Sequence, residues 1–233
     1  MIWCLGMYAS GSTWLYNTAR QVAQAMYPDT KVAGSYAERM DVLKRLKPSV
    51  LNVVKTHDLG LPEASFLAMR ATRIVLSIRD PRDAVTSLMQ HMGHDFPQAL
   101  ERVEKSATFC AHFASDKRAE LFTYEAGFTD DIATLDRLAA FFGGTLNAQM
   151  REHLFRQSRR DAIEAKIARL EELPTVFRDS RSGDVLDMDT QWHLHHAGRT
   201  GEVGRWQRLL TPAAAREIER RMNGWMRLFV YLA

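Results

Sequence analysis

Residues Ile2 to Thr13 read IWCLGMYASGST, and the rest of the chain elaborates the pattern they set. Ile2 to Met7 is an unbroken apolar run with Trp3, Cys4 and Leu5 at its centre, short enough for a buried strand. Gly6 to Thr13 then forms a turn of small residues. A helix follows from about Ser12 to Met26, with Leu15, Ala19, Val22 and Met26 spaced by three or four, and Pro28 and Asp29 end it. In a strand, turn and helix of this kind the backbone N–H groups of the turn and first helical turn converge on one spot, with the positive end of the helix dipole behind them. The reading is an anion site, although small residues can also serve the turn alone.

The alternation continues. Further strands are expected at Val50–Lys55, Arg73–Arg79 and Glu120–Tyr124, and each is followed by a helix-compatible segment: Pro62–Met69, Pro81–His91 and Asp130–Phe142. Strands alternating with helices imply right-handed crossovers and a parallel sheet covered on both faces, an α/β three-layer sandwich. After Gly143-Gly144, Gln149 to Leu173 is charged and reads as helical, whereas residues 178–205 carry no clear period and read as a long loop. Long loops inside a domain are usually functional or disordered. Thr211-Pro212 supplies an N-cap and a first-turn proline, and Ile218, Met222, Trp225, Met226 and Phe229 form the apolar stripe of a final helix.

With 233 residues, 46% of them hydrophobic, the chain can bury one sizeable core, so residues 1–233 read as a single domain. A net charge of +3 indicates neither a nucleic-acid-coating protein nor an acidic tail. Cys4 and Cys110 match no metal-ligand spacing and are too few for a disulfide framework, which favours a reducing compartment. No stretch reaches the roughly 18 apolar residues of a membrane span. The expectation is a cytoplasmic protein without a membrane or nucleic-acid partner.

The loop has the spacing of the phosphate-binding pattern GxxxxGK[ST], with Gly6 and Gly11 in register but Ser12 at the lysine position. A site lacking that lysine suits a single phosphate group better than a magnesium triphosphate. Arg79-Asp80-Pro81-Arg82-Asp83 ends one strand and opens a helix, with Ser87 eight positions after Arg79. In an open parallel sheet the strand ends share one crevice, so Arg79 faces the same side as the first loop. A guanidinium suits phosphate because its planar fork donates two parallel hydrogen bonds. The alternative is that these charges are solvated surface pairs. His57 lies past the end of another strand, with Lys55 two residues earlier, and is suited to take a proton from a hydroxyl near neutral pH. His91 and His94, and the group His193, His195 and His196, lack the cysteine or carboxylate partners of a convincing metal site, so no metal is expected.

Taken together, ASGSTWL, VVKTHD, IVLSIRDPRDAVTS, LFTYEAGFTDDIATLDRLAAFFG and GRTGEVGRW resemble, in order, the motifs of the sulfotransferases that use 3′-phosphoadenosine 5′-phosphosulfate (PAPS). The resemblance spans Leu5 to Trp206 and implies a P-loop NTPase-like topology. It implies that Ser10, Gly11, Ser12 and Thr13 hold the 5′-phosphosulfate, that Trp14 stacks near the adenine, and that Arg79 and Ser87 bind the 3′-phosphate. It further implies that Tyr124 contacts the adenine, that Arg199, Thr200 and Gly201 clamp the 3′-phosphate from a lid at about 178–205, that His57 is the general base, and that Lys55 contacts the transferring sulfuryl group. The product is adenosine 3′,5′-bisphosphate (PAP), and no metal is needed.

Two positions depart from the family pattern. Thr200 stands where the late motif has a lysine, and Ala9 stands where a lysine precedes Ser-Gly-Thr and stabilises the leaving phosphate. Losing one such donor costs on the order of 10²–10³ in rate. Either Lys55 or an arginine substitutes, or the protein is slow, or it is a nucleotide-binding pseudoenzyme; a P-loop nucleotide kinase is the other alternative. Tyr8, Tyr36 and Phe96 favour a small organic hydroxyl as acceptor, whereas the basic segment Arg151–Arg169 favours an anionic saccharide.

Overall fold

In the computed structural model, which describes residues 1–37, 40–44, 46–178, 180, 183–196 and 201–232, strands and helices alternate through the first half of the chain. In chain order they are β1 (Ile2–Gly6), α1 (Ser12–Met26), β2 (Val32–Tyr36), α2 (Met40–Leu43), β3 (Leu51–Thr56), α3 (Leu61–Arg70), β4 (Arg73–Ile78), α4 (Pro81–Met92), α5 (Phe96–Phe113) and β5 (Ala119–Thr123). The second half adds α6 (Ala133–Phe141), α7 (Ala148–Ser158), α8 (Arg160–Ala168), β6 (Val176–Arg178), β7 (Val185–Asp187), α9 (Trp206–Leu209), α10 (Pro212–Arg221) and α11 (Asn223–Leu228). Strands β1 to β5 form one sheet of order β2-β3-β1-β4-β5, parallel throughout.

The alternation of side chains along each strand builds both faces. Ile2, Cys4, Val53, Val75 and Phe122 pack with Leu15, Ala19 and Val22 of α1 and Leu135 and Leu138 of α6. Their strand neighbours Trp3, Leu5, Val54, Ile74 and Leu76 pack on the other face with Leu88 of α4, Leu100 and Val103 of α5, Ile218 of α10 and Met226 of α11. Consecutive residues point to opposite sides, so continuous apolar strands require helices on both. The three-layer expectation holds.

Adjacent strands β1 and β4 send their following helices, α1 and α4, to opposite faces. That divergence opens a crevice at the carboxyl ends of the strands. Helix starts are set locally: Asp80 accepts from the Arg82 N–H at α4, Asp95 from Gln98 at α5, Asn147 from Met150 at α7 and Thr211 from Ala214 at α10.

Several sequence expectations are corrected. Val32–Tyr36 is an edge strand that the sequence reading passes over, and Phe96–Phe113 is an 18-residue helix in a segment to which it assigns nothing. Helicity between Gln149 and Leu173 breaks at Arg159, whose backbone is extended. The segment 178–205 is not wholly irregular, because β7 pairs with β6 in a small antiparallel hairpin. The expected final helix is two, α10 and α11, divided at Met222. Among the described residues no helix is long and apolar enough to cross a membrane.

Candidate active site

A cavity of about 760 Å³ occupies the crevice. Its wall includes Gly11, Ser12, Thr13, Trp14, Lys55, His57, Arg79, Ser87, Tyr124 and Gly201, so residues nearly 200 positions apart in sequence meet in one space. Of the other expected site residues, Arg199 and Thr200 lie outside the described residues. Ser10 is a correction: its hydroxyl is fully buried, donating to the Met7 carbonyl (2.6 Å) and bonded to Ser77 Oγ (2.8 Å). The short side chain knits the loop to β4 and does not face the cavity.

The loop after β1 turns through two left-handed residues, Ala9 (φ 58°) and Gly11 (φ 74°). Gly11 is required twice over. It adopts a conformation that side chains resist, and a Cβ there would sit 3.2–3.3 Å from the Phe128 and Tyr124 rings. No side chain caps the start of α1. Gly11, Ser12, Thr13 and Trp14, at and just after that start, line the cavity, and the first N–H groups of a helix have no intrahelical acceptor.

Arg79 extends the cationic wall. Its Nη1 donates to the Ala9 carbonyl (3.3 Å) and its Nη2 to the Glu202 carbonyl (2.8 Å), and its guanidinium stacks on the Tyr124 ring at 4.2 Å. Asp83 lies 3.7 Å away and is completely buried. The charges of this motif are therefore not solvated surface pairs. Arg82 takes Asp80, together with Glu219 and the face of Trp206, while Arg79 takes Asp83 and keeps a buried Nε that has no hydrogen-bond partner among the described residues. Asp83 also accepts the backbone N–H groups of Gly204 (2.6 Å) and Trp206 (3.0 Å), docking the late GEVGRW segment against α4.

Across the cavity, the protonation of His57 is fixed by its partners. Its Nδ1 is 2.7 Å from the Gly6 carbonyl, which can only accept, so Nδ1 carries the hydrogen and Nε2 holds a lone pair. Lys55 Nζ lies 3.2 Å from that Nε2. Burial, and then the neighbouring Lys55 charge, push the imidazole well below its usual 6.5. The ring is neutral at physiological pH and able to take a proton at one atom. Tyr8 stacks on it with centroids 4.1 Å apart, and Tyr36 meets it edge-on at 6.1 Å.

Tyr8 and Tyr36 line the cavity, whereas Phe96 packs into the apolar cluster beneath α5. In the basic segment Arg151–Arg169, Arg151 pairs with Asp136, Arg159 with Asp161 and Arg169 with Glu172, while Arg160 lines the cavity. Two lining cations escape the sequence reading, Arg102 and Arg205. Arg102 sits on a helix that the reading does not assign. Arg205 lies inside the late motif, at a position whose residue the motif leaves open. Among the described residues, no group of three or more His, Cys, Asp or Glu side chains is arranged to hold a metal.

The chain aligns over 97% of its length with 83% of mouse sulfotransferase SULT7A1 complexed with PAP, at a TM-score of 0.66 and 17% identity. It aligns over the same share with 80% of retinol dehydratase in complex with androsterone and inactive cofactor PAP, at 0.67 and 15% identity. The fold is that of the sulfotransferases. Retinol dehydratase complexed with retinol and PAP shows the same sulfotransferase fold at a TM-score of 0.63 and 13% identity. No family model and no curated protein matches the sequence. At these identities the likeness lies in the sulfotransferase backbone, and the chemistry must be argued from the side chains described above.

Proposed function

We propose that this chain is a PAPS-dependent sulfotransferase that transfers a sulfuryl group to the hydroxyl of a small organic acceptor. The observation that carries the reading is the placement, in one cavity, of a neutral histidine whose proton-accepting nitrogen receives a hydrogen bond from Lys55, together with a helix N-terminus that no side chain caps and a buried arginine with an unused donor. These features fit a nucleotide with two separated anionic groups. The α1 N-terminus, Ser12 and Thr13 would hold one, Arg79 and Ser87 the other, and Trp14 and Tyr124 supply aromatic surface for the base. When bound, PAPS supplies an activated sulfuryl group, which needs only positioning and charge stabilisation at the oxygens involved.

His57 Nε2 removes the acceptor proton, while the Nδ1 bond to Gly6 holds the ring in the required tautomer. Lys55, next to that nitrogen, or Arg79, which donates to the Ala9 carbonyl, would serve the charge for which position 9 supplies no lysine. Tyr8 and Tyr36 flank the base and would accept an aromatic or otherwise apolar acceptor, in keeping with the androsterone that retinol dehydratase binds. A saccharide has less support, because three arginines of the segment expected to recognise it, Arg151, Arg159 and Arg169, are paired with carboxylates.

The test combines binding and turnover. The protein should bind PAP by calorimetry and transfer label from PAPS to members of a panel of hydroxylated acceptors. His57→Ala should abolish transfer while leaving PAP binding nearly intact. Tight PAP binding with no transfer to any acceptor identifies a pseudoenzyme, and ATP binding in preference to PAP identifies a kinase.

A further inference from the structure

One buried cation of the cavity has no part in the roles assigned above. Arg205 is only 8% exposed and lines the same cavity as Arg79, Ser87 and His91. Its backbone is held on both sides, because the N–H groups of Gly204 and Trp206 donate to the two oxygens of Asp83. That carboxylate is also the one 3.7 Å from Arg79, so a single residue of α4 fixes both arginines. The Arg205 guanidinium reaches His91 Nε2 at 3.4 Å, a long contact, and its Nε has no hydrogen-bond partner among the described residues, the same condition as the Nε of Arg79.

Burial and the nearby Arg79 both act against the charge on Arg205. The Arg79 guanidinium stands 3.7 Å from Asp83, whose oxygens already accept two N–H bonds, and Arg205 feels that carboxylate only at longer range. The balance is positive, and buried donors are left over. An anion with several acceptor oxygens offsets the repulsion and uses those donors, and phosphate has the matching geometry. The α1 N-terminus provides a separate place for a first phosphate, which leaves this pair for a second.

We infer that Arg205 closes on Arg79 and Ser87 as a clamp for the second phosphate of a nucleoside bisphosphate, and that it distinguishes a 3′-phosphorylated nucleotide from a plain nucleoside 5′-phosphate. The inference rests on the PAPS reading of the cavity and adds to it a binding and specificity residue.

Calorimetry of the full chain with PAP and with adenosine 5′-monophosphate tests it, with Arg205→Gln and Arg205→Lys beside the wild type. A hydrogen bond to a charged group, converted at tenfold per 1.4 kcal/mol, predicts that Arg205→Gln weakens PAP binding by about 10- to 100-fold. Binding of the monophosphate should change by less than about threefold, and Arg205→Lys should recover part of the loss by restoring the charge without the planar fork. Thermal melts without nucleotide confirm that each variant is folded. If PAP binds the wild type and Arg205→Gln equally well, or if both nucleotides weaken to the same degree, the clamp is overturned while the PAPS reading stands. A wild type that fails to bind PAP overturns both.

Discussion

Replacing Asp83 by Asn tests whether one carboxylate connects the scaffold to the cavity. The side chain is completely buried, accepts N–H bonds from Gly204 (2.6 Å) and Trp206 (3.0 Å) on separate oxygens, and stands 3.7 Å from Arg79. An amide of the same shape can accept only one of those bonds and turns an N–H donor toward the other. It also removes the negative charge beside Arg79. Hydrogen bonds to charged groups contribute about 1.5–3 kcal/mol each, and breaking a buried ion pair on one side costs about 3–5 kcal/mol. These overlap, so the expected loss is about 3 kcal/mol, which for a chain of this length lowers Tm by roughly 6–12 °C. Denaturant titration measures the loss, and amide hydrogen exchange localises it: Gly204 and Trp206 should exchange much faster in the variant. A loss below about 1 kcal/mol with both amides still protected would refute the claim that Asp83 holds this segment.

Other consequences follow from the same geometry. Because burial and Lys55 depress His57 well below 6.5, its base form persists on acidification, and the acid limb of kcat/KM should fall well below pH 6.5; a midpoint at or above that value contradicts the assignment. For stability the sign is the same: the unfolded chain protonates this histidine below about 6.5 while the folded chain resists. Its contribution is therefore full above that pH and is lost as pH falls toward the depressed folded value, which denaturant titrations of the wild type and His57→Asn at pH 7 and pH 5 can separate. Gly11→Ala forces a Cβ into the left-handed region and against Tyr124 and Phe128; it should destabilise by about 1–2 kcal/mol and weaken PAP binding, and unchanged binding would show that the loop tolerates a side chain. Burial raises the Cys4 thiol to about 12 and pushes Cys110 up as well, so neither should react with a thiol reagent in the native protein, while both should react after unfolding.

Much of the site was legible because its residues are local. The strand, turn and helix at Ile2–Met26 carry their own signals, and so does the cap at Asp80-Pro81 that turns the chain after Arg79. Val32–Tyr36 was not legible: an edge strand with Gly34 at its centre and no fully buried residue shows neither alternation nor a continuous apolar run. Helix α5 had a usable signal in Asp95 ahead of Pro97, with Asp95 capping the Gln98 N–H.

Other features have no local signal at all. That Ser10 turns inward to Ser77 depends on β1 and β4 being neighbours, a contact 67 residues apart. That Arg79 pairs with Asp83 rather than with the adjacent Asp80 depends on the start of α4, which spends Asp80 on Arg82. That Arg205 faces Arg79 depends on Asp83 catching a loop more than 120 residues away. The sequence by itself determined the α/β architecture, the small-residue turn between β1 and α1 and the residue types available for the chemistry, because hydrophobic period and turn chemistry act over a few residues. Only the tertiary structure decided which of those charges are buried, which are paired and which keep unused donors, because desolvation and Coulomb interactions depend on distance in space and not along the chain.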